Sequence, residues 1–140
     1  MLYEKSCGFV VYMENQDVRS YLVIRSSNGE YGFPKGHVEY NETEYETAIR
    51  ELKEETNLEV QIIDGFRRQI EYKLPNKADV MKQSVYFLGK CTEENIVCQE
   101  TEVSEAMFVS LEKALALLSF KNTKEILLDA NAYIDSLTIM

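Results

Sequence analysis

Runs of apolar residues, separated by polar turns, divide the 140-residue chain into short strands and three helices. Clusters of β-branched and aromatic residues predict strands over residues 8–13, 21–24, 60–63, 66–72, 84–88 and 106–109. Apolar positions three and four residues apart predict helices over about 43–56, 111–118 and 123–137. The polar segment 14–17 predicts a turn, so the first two strands form a hairpin. Strands with a central helix and two C-terminal helices predict an α+β fold or an α/β/α sandwich.

Composition narrows the class of protein. The length suits one domain, residues 1–140, and a hydrophobic share of 45% is enough for a real core. With 24 acidic against 15 basic residues the net charge is −9, which argues against a stable nucleic-acid partner. No 18-residue apolar run and no N-terminal signal pattern are present, so we expect a cytoplasmic protein with no membrane segment. Monomer is the default expectation.

The helix predicted near residue 50 carries three glutamates on one side. Its apolar positions recur with helical spacing and predict the stripe that packs on the core: Tyr45, Ala48, Ile49 and Leu52. Glu51, Glu54 and Glu55 lie roughly 120° around the helix from the centre of that stripe. A hard divalent ion such as Mg²⁺ prefers carboxylate oxygens together with water and substrate phosphates. The alternative is an ordinary solvated acidic face, since glutamate favours helices.

A longer pattern around this helix favours the metal site. Residues 36–58 read GHVEYNETEYETAIRELKEETNL, with Gly36 and Glu42 ahead of the helix. This segment resembles the Nudix box, GX5EX7REUXEEXGU with U apolar, and departs from it only at Asn57, where the box has glycine. The position follows a helix end, where a left-handed backbone is expected and asparagine is the usual substitute for glycine. We therefore expect the departure to cost little stability.

The resemblance implies the Nudix fold, a mixed sheet between helices with a loop–helix–loop catalytic motif. It also implies a hydrolase of nucleoside diphosphates linked to another group, with Mg²⁺ as the cofactor and Mn²⁺ as a substitute. Within the box, Glu54 and Glu55 become the principal metal ligands and Glu51 a ligand or general base. The Gly36 carbonyl becomes an additional ligand, and Arg50 is expected to orient a glutamate of the same helix. Glu42 is expected to support the architecture of the loop and helix.

Beyond the box, the chain is similar to the asymmetrical diadenosine tetraphosphate hydrolases over nearly its whole length. The similar stretches are CGFVVY from residue 7, YGFPKGHVE from 31, GFRR from 65, SVYFL from 84 and FVSLEKA from 108. The resemblance implies cleavage of diadenosine tetraphosphate to ATP and AMP by attack of water on phosphorus. The expected partner is accordingly a small nucleotide substrate.

The same resemblance implies roles for residues outside the box. Lys35 would hold polyphosphate, and Tyr72 and Phe120 would stack on adenine. Glu102 would act as a further metal ligand or base, although Glu100 or Glu105 could substitute for it. Four more residues are candidates for substrate contacts: Lys77, Lys82, Tyr31 and His37.

Two alternatives remain open at this point. One is a Nudix pyrophosphohydrolase acting on another nucleotide, such as a nucleoside triphosphate or an RNA 5′ end. The other is a Nudix module that binds a nucleotide without cleaving it, although such modules usually have a damaged box. A comparison of substrates would separate them.

Overall fold

One mixed β-sheet with helices on both faces makes up the part of the chain that the computed structural model describes, residues 2–73, 79–92, 96 and 103–137. Its strands are β1 (Leu2–Asn15), β2 (Val18–Ser26), β3 (Tyr31–Gly32), β4 (Lys35–His37), β5 (Gln61–Lys73), β6 (Val80–Lys90) and β7 (Val103–Val109). Its helices are α1 (Glu44–Thr56), α2 (Leu111–Leu117) and α3 (Lys121–Leu137).

β1 is the central strand of the sheet. The strand order is β3-β2-β1-β6-β5, with β4 beside β1 and β7 beside β2. β1 and β6 run parallel, whereas the other pairs are antiparallel. The predicted β1–β2 hairpin is confirmed, and Gln16 and Asp17 form its turn with φ of 52° and 66°. Positive φ at both central residues is typical of the tight turn that matches strand twist.

Alternate residues of the central strands face opposite helices. Phe9 and Val11 of β1 pack in the cluster that includes α1, whereas Val10 and Tyr12 pack in the cluster that includes α2 and α3. Strand residues point alternately to the two faces, so one apolar strand can serve two cores. This arrangement confirms the predicted α/β/α sandwich.

Helix α1 begins and ends at recognisable signals. The Thr43 side chain accepts a hydrogen bond from the Glu46 backbone N–H, and the Glu46 carboxylate accepts one from the Thr43 N–H. These reciprocal bonds satisfy donors that the first helical turn leaves open. Asn57 closes the helix with φ 65° and ψ 11°, which confirms the left-handed backbone expected there.

The buried side of α1 differs from the predicted stripe. Ile49 is 46% exposed, so its assignment to the core is wrong. Tyr45 is 37% exposed, but one face of its ring stacks on buried Phe87 with the ring centres 4.0 Å apart. The buried residues of the helix are Thr47, Ala48, Glu51, Leu52, Glu55 and Thr56. Glu51 and Glu55 thus face the sheet, where Gly36 of β4 takes up little space, while Glu54 stays exposed.

The strands differ from the prediction in two respects. Residues 60–63 and 66–72 belong to one strand, β5, which bulges at Gly65 where φ is 92°. β3 and β4 were not predicted, since they are two and three residues long and exist through pairing with β2 and β1. Among the described residues, no helix is long and apolar enough to cross a membrane.

Candidate active site

A pocket of about 390 Å³ opens beside β4 and the N-terminal ends of β1 and β6. The described residues that line it are Ser6, Lys35, Gly36, His37, Glu39, Glu51 and Lys82. Two lysines and two glutamates therefore share one cavity. Five of these residues come from the Nudix-like segment and the PKGH run: Lys35, Gly36, His37, Glu39 and Glu51.

Strand alternation explains why this end of the sheet is polar. Tyr86 of β6 faces α3 in the core, so Ser84 and Lys82 point to the same face. Ser6 lies directly beside Ser84 across the parallel β1–β6 ladder. The face is apolar beneath α2 and α3 and becomes polar toward the pocket.

Glu51 reaches the pocket because Gly36 lacks a side chain. Gly36 pairs with Cys7, whose side chain packs in the α1 cluster, so a side chain at 36 would point toward α1. A Cβ built on Gly36 would overlap the carboxylate of Glu51. Only glycine leaves room against β4 for this carboxylate, and the residue Glu51 as a whole is 9% exposed.

Arg50 connects the loop before α1 with the helix. Its Nε donates to Glu42 Oε2 at 2.6 Å, and its Nη2 donates to Glu42 Oε1 at 3.0 Å and to the His37 carbonyl at 3.0 Å. Its Nη1 donates to Glu51 Oε1 at 2.8 Å, the expected contact with a glutamate of the same helix. The Arg50 hydrogen bonds lower the pKa of Glu42 to about 2, and those to Glu42 raise the pKa of Arg50. This charged pair therefore stays ionised at neutral pH.

The three glutamates of the helix differ in burial. Glu55 is 3% exposed, Glu51 is 9% exposed and Glu54 is open to solvent. Arg50 Nη1 also lies 3.3 Å from both carboxylate oxygens of Glu54. Three carboxylates, those of Glu42, Glu51 and Glu54, thus surround the single positive charge of Arg50.

The donor set fits a hard divalent cation, since carboxylates and a backbone carbonyl supply only oxygen ligands. In the conformation described, no three Asp, Glu, His or Cys side chains within residues 2–73, 79–92, 96 and 103–137 form a complete metal cluster. Glu102, a further predicted ligand, lies outside the described residues, as do the alternatives at Glu100 and the predicted phosphate contact at Lys77. Glu105 is described and lies in β7. The assignment of metal ligands stays a prediction.

Lys35 and Lys82 approach the pocket from β4 and β6, the two strands that flank this part of β1. Lys35 Nζ donates to Ser84 Oγ at 3.2 Å and lies 6.0 Å from the centre of the Tyr72 ring. Tyr72 pairs with Lys82 across β5 and β6. One predicted aromatic residue therefore stands beside both pocket lysines.

Of the remaining predicted substrate contacts that the structure describes, His37 lines the pocket and Tyr31 and Phe120 do not. Phe120 is 51% exposed at the start of α3. Tyr31 is held beside it, because the Tyr31 N–H donates to Ser119 Oγ at 2.9 Å and the Ser119 N–H donates to the Tyr31 carbonyl at 3.2 Å. Neither these rings nor that of Tyr72 is among the described residues lining the pocket. His37 does line it and is exposed.

Three polar residues near the pocket were not identified from the sequence: Ser6, Glu39 and Ser84. The two serines carry a usable signal. Each occupies the end of an apolar strand at a position that alternation turns inward, where a polar side chain needs a partner. Glu39 lies in a loop and offers no such pattern.

A family model described as the NUDIX domain matches residues 4–130, which include the pocket and α1. The chain therefore belongs to the Nudix family. It is a Nudix hydrolase similar to the asymmetrical bis(5′-nucleosyl)-tetraphosphatases.

Two curated relatives support that statement, and one solved structure shares the fold. The enzyme of this name from Mus musculus is 30% identical, with 94% of this chain and 96% of the relative aligned. The one from Sus scrofa is 27% identical, over 95% of this chain and 97% of the relative. The crystal structure of a C. elegans Ap4A hydrolase binary complex superposes with a TM-score of 0.87 at 24% identity, covering 95% of this chain and 98% of that one. This structural match shows the fold.

Proposed function

We propose that the protein hydrolyses a dinucleoside polyphosphate, diadenosine tetraphosphate, to ATP and AMP by attack of water on phosphorus. The observation that carries the proposal is the pocket that Glu51, Lys35 and Lys82 line together. A polyphosphate chain needs positive charge along its oxygens, and hydrolysis needs a group that accepts a proton from water. The names of the full-length relatives support the choice of substrate.

The proposed metal site is the acidic side of α1 with the adjoining backbone. Its ligands are Gly36 through its carbonyl, Glu54, Glu55 and Glu102, while Glu51, a ligand or base by the resemblance, takes the part of the base. Mg²⁺, with Mn²⁺ as a substitute, would supply Lewis acidity toward phosphate oxygens and water. Arg50 holds Glu51 and Glu54 on one side of the helix through its Nη1.

The chain's own residues have distinct roles in this proposal. Lys35 and Lys82 bind the phosphate oxygens and stabilise negative charge that builds up during in-line attack. Glu51 accepts the proton of the attacking water, a role its position in the pocket permits. Tyr72 and Phe120 stack on adenine, while Tyr31, His37 and Lys77 make peripheral contacts.

We further propose that residues 1–140 form a single Nudix domain with its box at 36–58. A cytoplasmic location and a monomeric state belong to the same proposal. The small, charged pocket and the net charge of −9 suit a soluble nucleotide better than a long nucleic acid.

A substrate panel tests the proposal. The purified protein is incubated with diadenosine tetraphosphate, a nucleoside triphosphate or triphosphorylated RNA, each with Mg²⁺ and with EDTA. We expect metal-dependent turnover to be fastest on the dinucleotide. Faster turnover of either other substrate would contradict the assignment, and tight binding without turnover would indicate a binding module.

Glu54→Gln and Glu46→Gln make a matched pair for this assay. Both variants remove one carboxylate from α1, but Glu46 belongs to the helix cap, where glutamine is also accepted. We expect Glu54→Gln to lose several orders of magnitude in kcat and Glu46→Gln to stay near wild type. Similar losses in both would indicate damage to the helix rather than to a metal site.

A further inference from the structure

We propose that Ser84 is a positioning residue for substrate binding: its buried hydroxyl holds the Lys35 ammonium group in place at the pocket. This inference rests on the proposed function, in which Lys35 binds the polyphosphate. It adds a residue from β6, outside the Nudix-like segment, to the site.

The contact joins the long, flexible side chain of Lys35 to the short, buried side chain of Ser84. Lys35 Nζ donates to Ser84 Oγ at 3.2 Å, and Ser84 has no exposed surface in β6. A lysine side chain has four rotatable bonds and loses much conformational freedom when its ammonium is held. A buried acceptor on a central strand removes part of that freedom before the substrate arrives, which favours binding.

The chemistry of the hydroxyl agrees with this role. An ammonium group can only donate, so Ser84 Oγ must accept from Lys35 and its own O–H remains for another acceptor. The Tyr86 hydroxyl lies on the same face of β6. Ser84 and Tyr86 are both buried, so the Ser84 O–H faces the core rather than solvent.

The Tyr72 ring restricts the position of the Lys35 ammonium group on another side. Its ring centre lies 6.0 Å from Lys35 Nζ, within the range of a cation–π contact. The hydrogen bond to Ser84 uses one of the three N–H donors of the ammonium, and the others are available to phosphate oxygens in the pocket.

Steady-state kinetics on diadenosine tetraphosphate tests the role through Ser84→Ala. Loss of one hydrogen bond that acts in binding should raise KM about 3- to 10-fold and leave kcat within about twofold. Ser84→Thr keeps the hydroxyl, so its KM should lie close to that of the wild type. Tyr21→Phe is the control, because it removes another buried hydroxyl, bonded to Asn131 Oδ1 at 2.6 Å on the far side of the core. It should leave KM unchanged.

A double-mutant cycle with Lys35→Met shows whether Ser84 acts through Lys35. In the Lys35→Met background, Ser84→Ala should have no further effect on KM. The proposal would be overturned if Ser84→Ala raised KM by the same factor in the Lys35→Met background as in the wild type. It would also be overturned if Ser84→Ala alone left KM unchanged.

Proton exchange at the lysine ammonium groups gives a readout that needs no substrate. In the wild type, the ¹⁵Nζ signal of Lys35 should exchange its protons more slowly than that of exposed Lys113, and Ser84→Ala should remove the difference. Equal exchange in both proteins would overturn the proposal. If the wild type passes this test but does not cleave the dinucleotide, the proposed function fails and the Lys35–Ser84 contact stands.

Discussion

The carboxylate of Glu51 occupies the space that a side chain at Gly36 would need. Gly36 belongs to β4 and Glu51 to α1, so one missing side chain lets a helix on one face of the sheet supply a group to the pocket at its edge. The glycine at the start of the Nudix-like segment is thus required by packing against the proposed base. Its backbone does not adopt a positive φ.

Gly36→Ala should displace Glu51 and lower kcat. A shift of about 1 Å in a catalytic group can cost on the order of 100-fold in rate, and we expect a loss of that size. Gly32→Ala is the matched control, because a Cβ there meets nothing within 4 Å. Thermal unfolding of both variants checks that the fold persists. Equal activities in the two alanine variants would contradict the packing argument.

Arg50→Lys should also reduce activity, although the positive charge is kept. The planar guanidinium binds Glu42 through two nitrogen atoms and still reaches Glu51, which a lysine ammonium cannot reproduce. We expect kcat to fall about 10- to 100-fold, in line with losses seen when the residues that orient ligands are changed. Glu42→Gln should give a smaller loss of the same kind. Full activity in Arg50→Lys would mean that charge alone suffices.

The free energy of unfolding should fall in acid, because protonation of the Glu44 carboxylate weakens its contacts with Arg67 and Lys5. Glu44 accepts hydrogen bonds from Arg67 at 3.0 and 2.9 Å and pairs with Lys5, and these contacts lower its pKa from 4.5 to about 2. A carboxyl group whose pKa is lowered by folding stabilises the folded state above its unfolded pKa. That contribution is complete above pH 4.5 and disappears as the pH falls toward about 2.

Denaturant unfolding of wild type and Glu44→Gln across this pH range measures the effect. At neutral pH the variant should have the lower free energy of unfolding. The gap between the two proteins should narrow as the pH falls and close near the folded pKa of about 2. A gap that stays constant with pH would show that Glu44 contributes through packing rather than charge.

Asn57→Gly should change little, whereas Asn57→Ala should destabilise the protein. The residue ends α1 with φ 65°, a conformation that glycine adopts freely and alanine does not. Forcing an alanine into the left-handed region costs about 1–2 kcal/mol. The free energy of unfolding and kcat should be measured together. A large gain in kcat in Asn57→Gly would mean that the departure from the Nudix pattern impairs the site.

The features that could be predicted from sequence depend on neighbours along the chain. Thr43 and Glu46 mark the start of α1 three residues apart, and Asn57 marks its end. The polar turn between two apolar runs identifies the β1–β2 hairpin. In each case a local hydrogen bond or backbone preference decides the structure.

The features that were missed depend on partners distant in the chain. β4 is a strand only because it pairs with β1, and the side of α1 that faces the core depends on the space at Gly36. Ile49 fits an apolar stripe by spacing, but the helix buries Glu51 and Glu55 instead. Ser84 gains its role from a lysine on another strand. Local periodicity contains none of this information.

Product analysis is the most direct test of the proposed reaction. The protein is incubated with diadenosine tetraphosphate and Mg²⁺, with Glu54→Gln in parallel, and the nucleotides are separated by anion-exchange chromatography. We predict ATP and AMP in equal amounts from the wild type and almost no product from the variant. Two molecules of ADP for each substrate would show that a different phosphorus–oxygen bond is cleaved and would contradict the proposed reaction.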